Sequence, residues 1–332
     1  MDPLSQGVIG ATAPLAVSKK DGLLAGLLGC FSGMAADIDV LIRSDTDPIL
    51  FLEFHRQFTH SLIFIPIGGF ICALLLYALF ARRQLGFGRT YFFCTLGYAT
   101  HGLLDTCTSY GTQLFWPFSS IRIAWHNISI VDPFFTLPIL FCVVLGMVRR
   151  NPRFGWSGLL WAVVYLSVGV LQRERAEAIA FELALARGHT PVKVEAKPSL
   201  GNLVLWKSIY EHNGHYYIDA VRVAKTVKVF PGEAIAKLNL IKDFPWLDLT
   251  SQQALDVDRF RWFSDGFLAK SRTIEDFIID MRYSVVPNRA DGLWGIRLSR
   301  GATVDAHVDY HVVRDMSETS RNTFLAMVFD KK

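Results

Sequence analysis

Histidine and aspartate residues recur in the first third of this 332-residue chain, at the edges of long apolar stretches. They are Asp37, Asp39, His55, His60, His101 and Asp105. A charged group in apolar surroundings is costly unless it is paired, protonated or bound to a metal. Imidazole and carboxylate together suit zinc, manganese or iron better than calcium, which prefers oxygen ligands. The pattern predicts a site for one or two divalent metal ions, with these six residues as ligands. Zinc is the preferred metal, ahead of manganese and iron.

The spacing of these residues suggests how they share the chemistry. His101 and Asp105 are four residues apart in a helical pattern, so both project from one helix face. Asp39 is expected to bridge two metal ions or to act as a general base. Two adjacent ions would generate a nucleophilic hydroxide and stabilise a leaving oxygen. Arg56, with its permanent charge and fork-shaped donors, is expected to bind the anionic group of a substrate.

Three further residues are candidates for supporting roles. Thr59 and Thr108 are predicted to hydrogen-bond to metal ligands. Asp132 precedes Pro133 at the start of an apolar run, so its preferred interpretation is a helix N-cap. A hydrogen bond to a metal ligand is the second interpretation. Each residue alone has an ordinary explanation, such as a histidine at a membrane boundary. The joint occurrence of six candidate ligands indicates a site.

Long apolar runs dominate the first half of the chain. Leu62–Phe80 is uncharged over the length that crosses a bilayer core. The other apolar runs are 8–17, 22–36, 91–104, 133–148 and 156–171. They predict a membrane domain at residues 1–171 with about four to six transmembrane or membrane-embedded helices. The alternative, helices in the core of a large soluble protein, does not explain the loop charges described next.

The loops between the apolar runs alternate in character. One set is basic and contains Lys19, Lys20, Arg82, Arg83, Arg89, Arg149, Arg150 and Arg153. The other set contains the histidine and aspartate residues. The positive-inside rule places basic loops in the cytoplasm. The sequence therefore predicts a multi-pass protein of the bacterial inner membrane, with the candidate site and the C-terminal domain on the periplasmic side.

The second half of the chain is predicted to be a helical linker at residues 172–190 and a soluble α+β domain at 191–332. Strands are expected at 202–210, 215–223, 226–230, 274–286, 292–298 and 304–314, and a helix at 251–270. The first two strands are expected to be joined by a hairpin turn at His212-Asn213-Gly214. The strand at 304–314 places Asp305, His307, Asp309 and His311 on one face. A second metal site is one interpretation, but this pattern more commonly arises from the solvent-exposed face of a half-buried strand.

The motifs resemble the YdjM-like family of inner-membrane, metal-dependent hydrolases. They are Asp37-Ile-Asp39, His55-Arg56-x-x-Thr59-His60-Ser61, Gly97-x-x-x-His101-x-x-x-Asp105-x-x-Thr108-x-x-Gly111, Trp116-Pro117-Phe118 and Asp132-Pro133. The resemblance covers residues 1–150, and the tail more loosely. It implies membrane localisation and hydrolase chemistry, with a distant likeness to zinc-dependent phospholipases C, but no particular substrate. Some members carry a histidine near the start, where this chain has Gln6.

We therefore expect a metal-dependent hydrolase of a phosphoester or lipid-linked substrate, whose partners are the lipid bilayer and a small-molecule or lipid-linked substrate. The alternative is a non-enzymatic membrane scaffold or sensor with a structural metal site, which would use four closed protein ligands. Transport ranks third, because its ionisable groups would lie near mid-membrane. The chain has no basic stripe with interleaved aromatic residues, so nucleic-acid binding is not indicated.

Overall fold

A computed structural model describes residues 1–330 and divides into two compact units. The first, here the membrane unit, comprises Met1–Leu41, Phe54–Val170 and Leu200–Asn202. The second, the C-terminal unit, comprises Ile42–Glu53, Leu171–Ser199 and the chain from Leu203 onward. The segment Ile42–Glu53 thus belongs to the C-terminal unit, although the residues on both sides of it belong to the membrane unit.

Helices form most of the membrane unit. In chain order the helices up to residue 186 are α1 (Pro3–Val17), α2 (Gly22–Met34), the short α3 (Leu50–Phe54), α4 (Ile65–Leu76), α5 (Phe87–Thr106), α6 (Pro133–Arg149) and α7 (Pro152–Ala186). Within the described chain, three helical stretches are long and apolar enough to cross a membrane: Gly22–Leu41, Leu62–Ala81 and Pro152–Ala186. A helical N-terminal region with apolar spans is therefore confirmed. The number of four to six membrane helices stays a prediction.

The membrane unit buries small residues and exposes large apolar ones. Along α4, Gly68, Gly69, Cys72 and Ala73 are buried. The exposed residues of the same helix are Ile67, Phe70, Ile71, Leu74 and Leu75. A helix in water buries its large apolar side chains, whereas helices in lipid pack through small residues. This inverted distribution is the pattern expected for a helix that faces lipid.

Close backbone contacts join α1, α2 and α5. A Cβ atom added to Gly10 would lie 2.5 Å from the carbonyl oxygen of Gly29, and one added to Gly97 would lie 2.4 Å from the same oxygen. A Cβ atom on Gly102 would lie 2.2 Å from the carbonyl oxygen of His60. Larger residues cannot occupy these positions without displacing backbone. The glycines therefore allow helix α5 to lie directly against the segments that carry the other candidate ligands.

The C-terminal unit contains two antiparallel sheets. The first has the order β1-β2-β3-β4, with β5 also paired to β3: β1 (Val194–Pro198), β2 (Leu205–His212), β3 (His215–Val223), β4 (Val227–Phe230) and β5 (Ala234–Ala236). The second has the order β6-β7-β8-β9: β6 (Leu268–Lys270), β7 (Phe277–Asp280), β8 (Trp294–Arg297) and β9 (Asp309–Val312). Helices α8 (Leu240–Asp243), α9 (Gln252–Phe263) and α10 (Glu318–Phe329) complete the unit. A sheet-containing C-terminal domain is thus confirmed.

Three predicted elements of this unit differ most from the structure. The strand predicted at 274–286 is confined to Phe277–Asp280. The helix predicted at 251–270 ends at Phe263, because Asp265 and Gly266 adopt positive φ angles, and Leu268–Lys270 forms a strand instead. The strand predicted at 304–314 is confined to Asp309–Val312. His307 lies before it, and its Nδ1 atom is 2.8 Å from the carboxylate of Asp256. The prediction that four polar residues lie on one strand face was therefore wrong for Asp305 and His307, which precede the strand.

Candidate metal centre

Four candidate ligands converge in the membrane unit. The Nε2 atoms of His60 and His101 lie 2.9 Å apart. Asp37 Oδ1 lies 3.4 Å from the first and 3.3 Å from the second. Asp105 Oδ2 lies 3.2 Å from His60 Nε2 and 3.7 Å from His101 Nε2. Ligand atoms bound at about 2.0–2.1 Å to a tetrahedral zinc ion are about 3.3 Å apart. The five distances are thus close to the spacing of a tetrahedral metal site, and all four atoms lie within 4.8 Å of one another.

Three separate elements supply these ligands. His101 and Asp105 lie one turn apart near the end of α5, and both are fully buried. Asp37 lies in the 3₁₀ turn Ala35–Leu41 that continues α2. His60 ends the 3₁₀ turn Phe58–His60, just before the apolar span that begins at Leu62. The ligands therefore meet where helices end.

Hydrogen bonds to the far nitrogens orient both imidazole rings. His101 Nδ1 donates to the carbonyl oxygen of Gly33 at 2.6 Å. His60 Nδ1 lies 2.9 Å from Thr59 Oγ1 and 3.2 Å from Asp39 Oδ2. Such partners fix the tautomer and ring position of metal-binding histidines and raise their basicity. Both Nε2 atoms are thereby directed into the space enclosed by the four ligands.

A second group of possible ligands shares Asp37 with the first. It consists of Asp37, Asp39 and His55. Asp39 Oδ1 lies 2.7 Å from His55 Nδ1, and Asp39 Oδ2 accepts from Thr59 Oγ1 at 2.6 Å and from the amide of Arg56 at 3.0 Å. The side chains of Asp37 and His55 are 23% and 26% exposed, whereas those of His60, His101 and Asp105 are fully buried. The cluster is therefore open to solvent on the side of Asp37 and His55.

Arg56 is buried beside the cluster. Its Nε atom lies 3.2 Å from Asp105 Oδ2, and its Nη1 atom donates to Thr108 Oγ1 at 2.9 Å. Thr108 Oγ1 in turn donates to the backbone carbonyl of Asp105 at 2.7 Å. Arg56 has a φ angle of 66°, a left-handed conformation that is uncommon for a residue with a side chain. The guanidinium thus supports one ligand carboxylate directly.

Gln6 and Asp132 differ in their relation to the cluster. Gln6, fully buried in α1, donates from Nε2 to Asp105 Oδ1 at 3.0 Å. Reasoning from residue types did not select it, and the histidine seen near the start of some family members was the available signal. Asp132 is the N-cap of α6, where it accepts from the amides of Phe134 and Phe135 and from the hydroxyl of Tyr165. Asp132 belongs to neither ligand group.

The electrostatics of the cluster favour a cation. Burial lowers the pKa of His60, but the carboxylates of Asp105, Asp37 and Asp39 outweigh it and raise that pKa to about 10. Burial also lowers the pKa of His55, despite its contact with Asp39. Asp105 Oδ2 is buried and makes no hydrogen bond of acceptable geometry within the described structure. A buried carboxylate oxygen without such a bond, facing two imidazole nitrogens, is an arrangement that a divalent metal ion would complete.

The fold and the site together define a membrane protein whose apolar helices enclose a histidine–aspartate cluster able to hold a metal ion. The chain belongs to the YdjM inner membrane protein family, whose family model matches residues 1–176. This assignment confirms the family resemblance. It covers the whole membrane unit except the short segment at 200–202, and none of the strands of the C-terminal unit.

The curated proteins include one relative of modest similarity. "Uncharacterized protein YfhP" of Bacillus subtilis (strain 168) is 26% identical over 177 residues, which is 53% of this chain and 51% of the relative. The match thus spans about half the length of each protein. No solved structure matches the chain.

Proposed function

We propose that this protein is a membrane-bound, metal-dependent hydrolase that acts on a phosphoester or lipid-linked substrate at the outer face of the inner membrane. The observation that carries the proposal is the set of four ligand atoms from Asp37, His60, His101 and Asp105 at tetrahedral spacing. Zinc is the metal that this donor set suits best, with manganese or iron as alternatives. A bound divalent ion would polarise the ester and lower the pKa of a water molecule.

The residues around the ligands have separable roles in this proposal. Asp39 holds His60 and His55 in place through their Nδ1 atoms, at 3.2 Å and 2.7 Å. Because Asp39 contacts Nδ1 of His55, the Nε2 atom of this ring is left to accept a proton from water. His55 is the more exposed of the two imidazoles. Arg56 fixes Asp105 and Thr108, and its positive charge attracts the anionic group of the substrate.

The number of ions separates two versions of this mechanism. With one ion, His55 and Asp39 act as a base and its orienting carboxylate. With two ions, Asp37 would be the ligand available to both, and Asp39 and His55 would hold the second ion. This differs from the expectation that Asp39 bridges, because Asp37 is the residue common to both groups. Elemental analysis of the purified protein distinguishes one ion per chain from two.

The proposed topology is a multi-pass protein with the candidate site on the periplasmic side. Two observations support it. The ligands lie at the ends of helices, and the backbone amide of Asp2, at the start of α1, donates to the carbonyl of Ile130 just before α6. Basic residues lie at the opposite helix ends: Lys19 and Lys20 after α1, Arg82 and Arg83 after the span Leu62–Ala81, and Arg149 and Arg150 at the end of α6. The positive-inside rule assigns that side to the cytoplasm.

A membrane scaffold or sensor with a structural metal is the second candidate. Four protein ligands around one ion match the closed coordination of structural zinc sites, and this favours the alternative. The partial exposure of Asp37 and the second group around His55 favour catalysis. Cobalt substitution separates the two candidates, because the absorption spectrum of a catalytic site changes when an added anion binds to the metal.

The test is hydrolysis by protein purified in detergent without chelators. Bis(4-nitrophenyl) phosphate, 4-nitrophenyl phosphate and a short-chain phospholipid serve as probes. We expect activity that a chelator removes and zinc or manganese restores, with His101→Ala inactive and the exposed His215→Ala unchanged. Protein that holds its metal yet hydrolyses none of the three probes, with a cobalt spectrum insensitive to anions, would favour the scaffold.

A further inference from the structure

The connection between α5 and α6 includes an apolar segment, residues 114–125, here called the 114–125 loop. Its sequence is Leu-Phe-Trp-Pro-Phe-Ser-Ser-Ile-Arg-Ile-Ala-Trp, in which Arg122 is the only charged residue. Phe118 is 84% exposed, and Phe115, Ile121 and Trp125 are exposed as well. Loops in water are usually polar, and clustered exposed apolar side chains mark an interaction surface.

Backbone hydrogen bonds hold the 114–125 loop at the ends of membrane helices. The amide of Leu62 donates to the carbonyl of Leu114 at 3.0 Å, and the amide of Trp125 donates to the carbonyl of Thr106 at 2.7 Å. Leu62 begins an apolar span, and Thr106 is the last residue of α5. The loop is therefore fixed at the level where the apolar span begins, not extended away from it.

The one charged side chain of the loop is directed toward the protein. Arg122 Nη2 donates to the carbonyl of Gly111 at 2.9 Å. The exposed apolar residues of the loop are thus Phe115, Phe118, Ile121 and Trp125. Tryptophan residues concentrate at the level of the lipid headgroups, and phenylalanine and leucine form the apolar faces of segments that lie in this interface.

We propose that the 114–125 loop inserts into the outer leaflet at this boundary, with Phe115, Phe118 and Ile121 in contact with lipid. The bilayer is the occupant that the surroundings favour. Val131 and Phe134, at the start of the apolar helix α6, are exposed large apolar residues as well. The loop therefore shows the same exposed apolar character as the helices that are expected to face lipid.

The position of the loop also specifies a substrate class, and this step rests on the proposed hydrolase function. The amide of Gln113 donates to the carbonyl of Arg56 at 2.9 Å, between the candidate ligands His55 and His60. Gln113, the residue that directly precedes the lipid-contacting loop, is thus bonded to the segment that carries part of the metal centre. An amphiphile with acyl chains in the outer leaflet and its ester at headgroup level would reach the centre along this loop.

Site-specific fluorescence tests the lipid contact without reference to activity. The five native cysteines are first replaced, and the metal content of this variant must be unchanged. Phe118→Cys is then introduced and labelled with an environment-sensitive fluorophore. Val192→Cys, which replaces an apolar residue of the C-terminal unit that is 80% exposed, is the matched control. In phospholipid nanodiscs we expect quenching by headgroup-level spin-labelled lipid at position 118 and quenching by iodide at position 192.

Equal quenching by iodide at both positions would overturn the proposal. Protection that depends on the number of chains per nanodisc would instead assign the surface to a second copy, and would overturn it too. The double variant Phe115→Ser/Phe118→Ser then tests the substrate class. We expect kcat/KM to fall about tenfold for a long-chain phospholipid in vesicles and to stay unchanged for bis(4-nitrophenyl) phosphate.

These results separate the two proposals. Lipid quenching at position 118, together with a double variant as active as the wild type on both substrates, would support the lipid contact. It would refute the proposal that the substrate reaches the centre along this loop. Lipid quenching in a metal-loaded wild-type protein that hydrolyses neither substrate would refute the hydrolase function alone.

Discussion

The imidazole rings of His60 and His101 direct their Nε2 atoms at each other across 2.9 Å, and the Nδ1 atom of each ring has another partner. His101 Nδ1 donates to the carbonyl of Gly33, and His60 Nδ1 faces Asp39. When His60 gives up the second proton that its raised pKa retains, two imidazoles that both donate from Nδ1 bring two Nε2 lone pairs into one space. A cation in that space, also bound by Asp37 and Asp105, removes the repulsion.

Replacement of either histidine is therefore expected to remove the metal. His60→Ala and His101→Ala each delete one corner of the tetrahedral set, and we expect the metal content to fall from near stoichiometric to below about a tenth of an ion per chain. Elemental analysis of protein purified without chelators is the measurement. His215→Ala, in an exposed hairpin of the C-terminal unit, is the control. Full metal content in both site variants would exclude this centre.

Asp39→Asn should weaken metal binding without abolishing it. Asp39 contacts the Nδ1 atoms of His60 and His55, so the amide loses the charge that orients the two rings. Hydrogen-bonding partners of ligand histidines contribute about 10-fold to 100-fold in metal affinity. Competition with a chromophoric chelator measures the change, with the exposed Asp45→Asn as control. An affinity equal to that of the wild type would remove Asp39 from the centre.

Gln6→His is expected to tighten metal binding. Gln6 Nε2 lies 3.0 Å from Asp105 Oδ1 inside the buried cluster, so an imidazole there adds a nitrogen ligand where an amide now stands. Imidazole binds zinc better than a neutral amide does, and we expect a gain of about tenfold. Gln6→Leu, which keeps the approximate size but offers no ligand, is the control. If the histidine variant binds metal no tighter than the leucine variant, position 6 lies outside the reach of the ion.

The features that the sequence predicted correctly depend on short chain distances. The four-residue spacing of His101 and Asp105 sets both on one face of α5, and Asp132-Pro133 begins α6 as an N-cap and first residue. The turn at Asn213-Gly214 joins β2 and β3, since both residues adopt positive φ angles. In each case the residues that determine the structure lie within one turn of chain.

The features that the sequence did not predict depend on contacts between distant segments. Asp37, rather than Asp39, joins both ligand groups, because the 3₁₀ turn at Ala35–Leu41 presents the two side chains differently from an extended chain. Gln6 reaches Asp105 across 99 positions, through glycine contacts between helices. Contacts between residues so far apart in the chain cannot be predicted from a local sequence pattern. For the same reason, nothing in the sequence indicated that Ile42–Glu53 would associate with the C-terminal unit.

Arg259 holds the segment Ile42–Glu53 within the C-terminal unit. Its guanidinium contacts Asp47 at 2.7 Å, Glu53 at 2.5 Å and the buried Asp256 at 2.8 Å. Arg259→Met leaves three carboxylates close together without this charge. We expect amide hydrogen exchange in residues 42–53 to accelerate about 10-fold to 100-fold, because local opening then breaks fewer charged hydrogen bonds.

Hydrogen exchange mass spectrometry of the full chain in nanodiscs measures this effect. Arg261→Met is the matched control, because Arg261 lies on the same helix and pairs with the exposed Asp258. Equal exchange of residues 42–53 in the two variants would show that other contacts hold the segment.

Lys207 is expected to give the C-terminal unit a pH-dependent stability. The side chain is buried in β2, and its Nζ atom donates to Ser284 Oγ and to the carbonyl of Arg289. Burial lowers its pKa from 10.5 to about 8, although the carboxylates of Asp291, Asp280 and Glu233 act in the opposite direction and the cation of Lys197 acts with burial.

The sign follows from proton binding in the two states. Between pH 8 and 10.5 the unfolded chain binds a proton at Lys207 that the folded chain does not. The free energy of unfolding therefore rises with pH, by at most about 1.4 kcal/mol per unit, and below pH 8 the contribution of this group no longer changes with pH. Urea unfolding of the full chain in detergent, followed by tryptophan fluorescence, gives the slope. Lys207→Met should remove this contribution, so identical slopes in the two proteins would mean that Lys207 has an ordinary pKa.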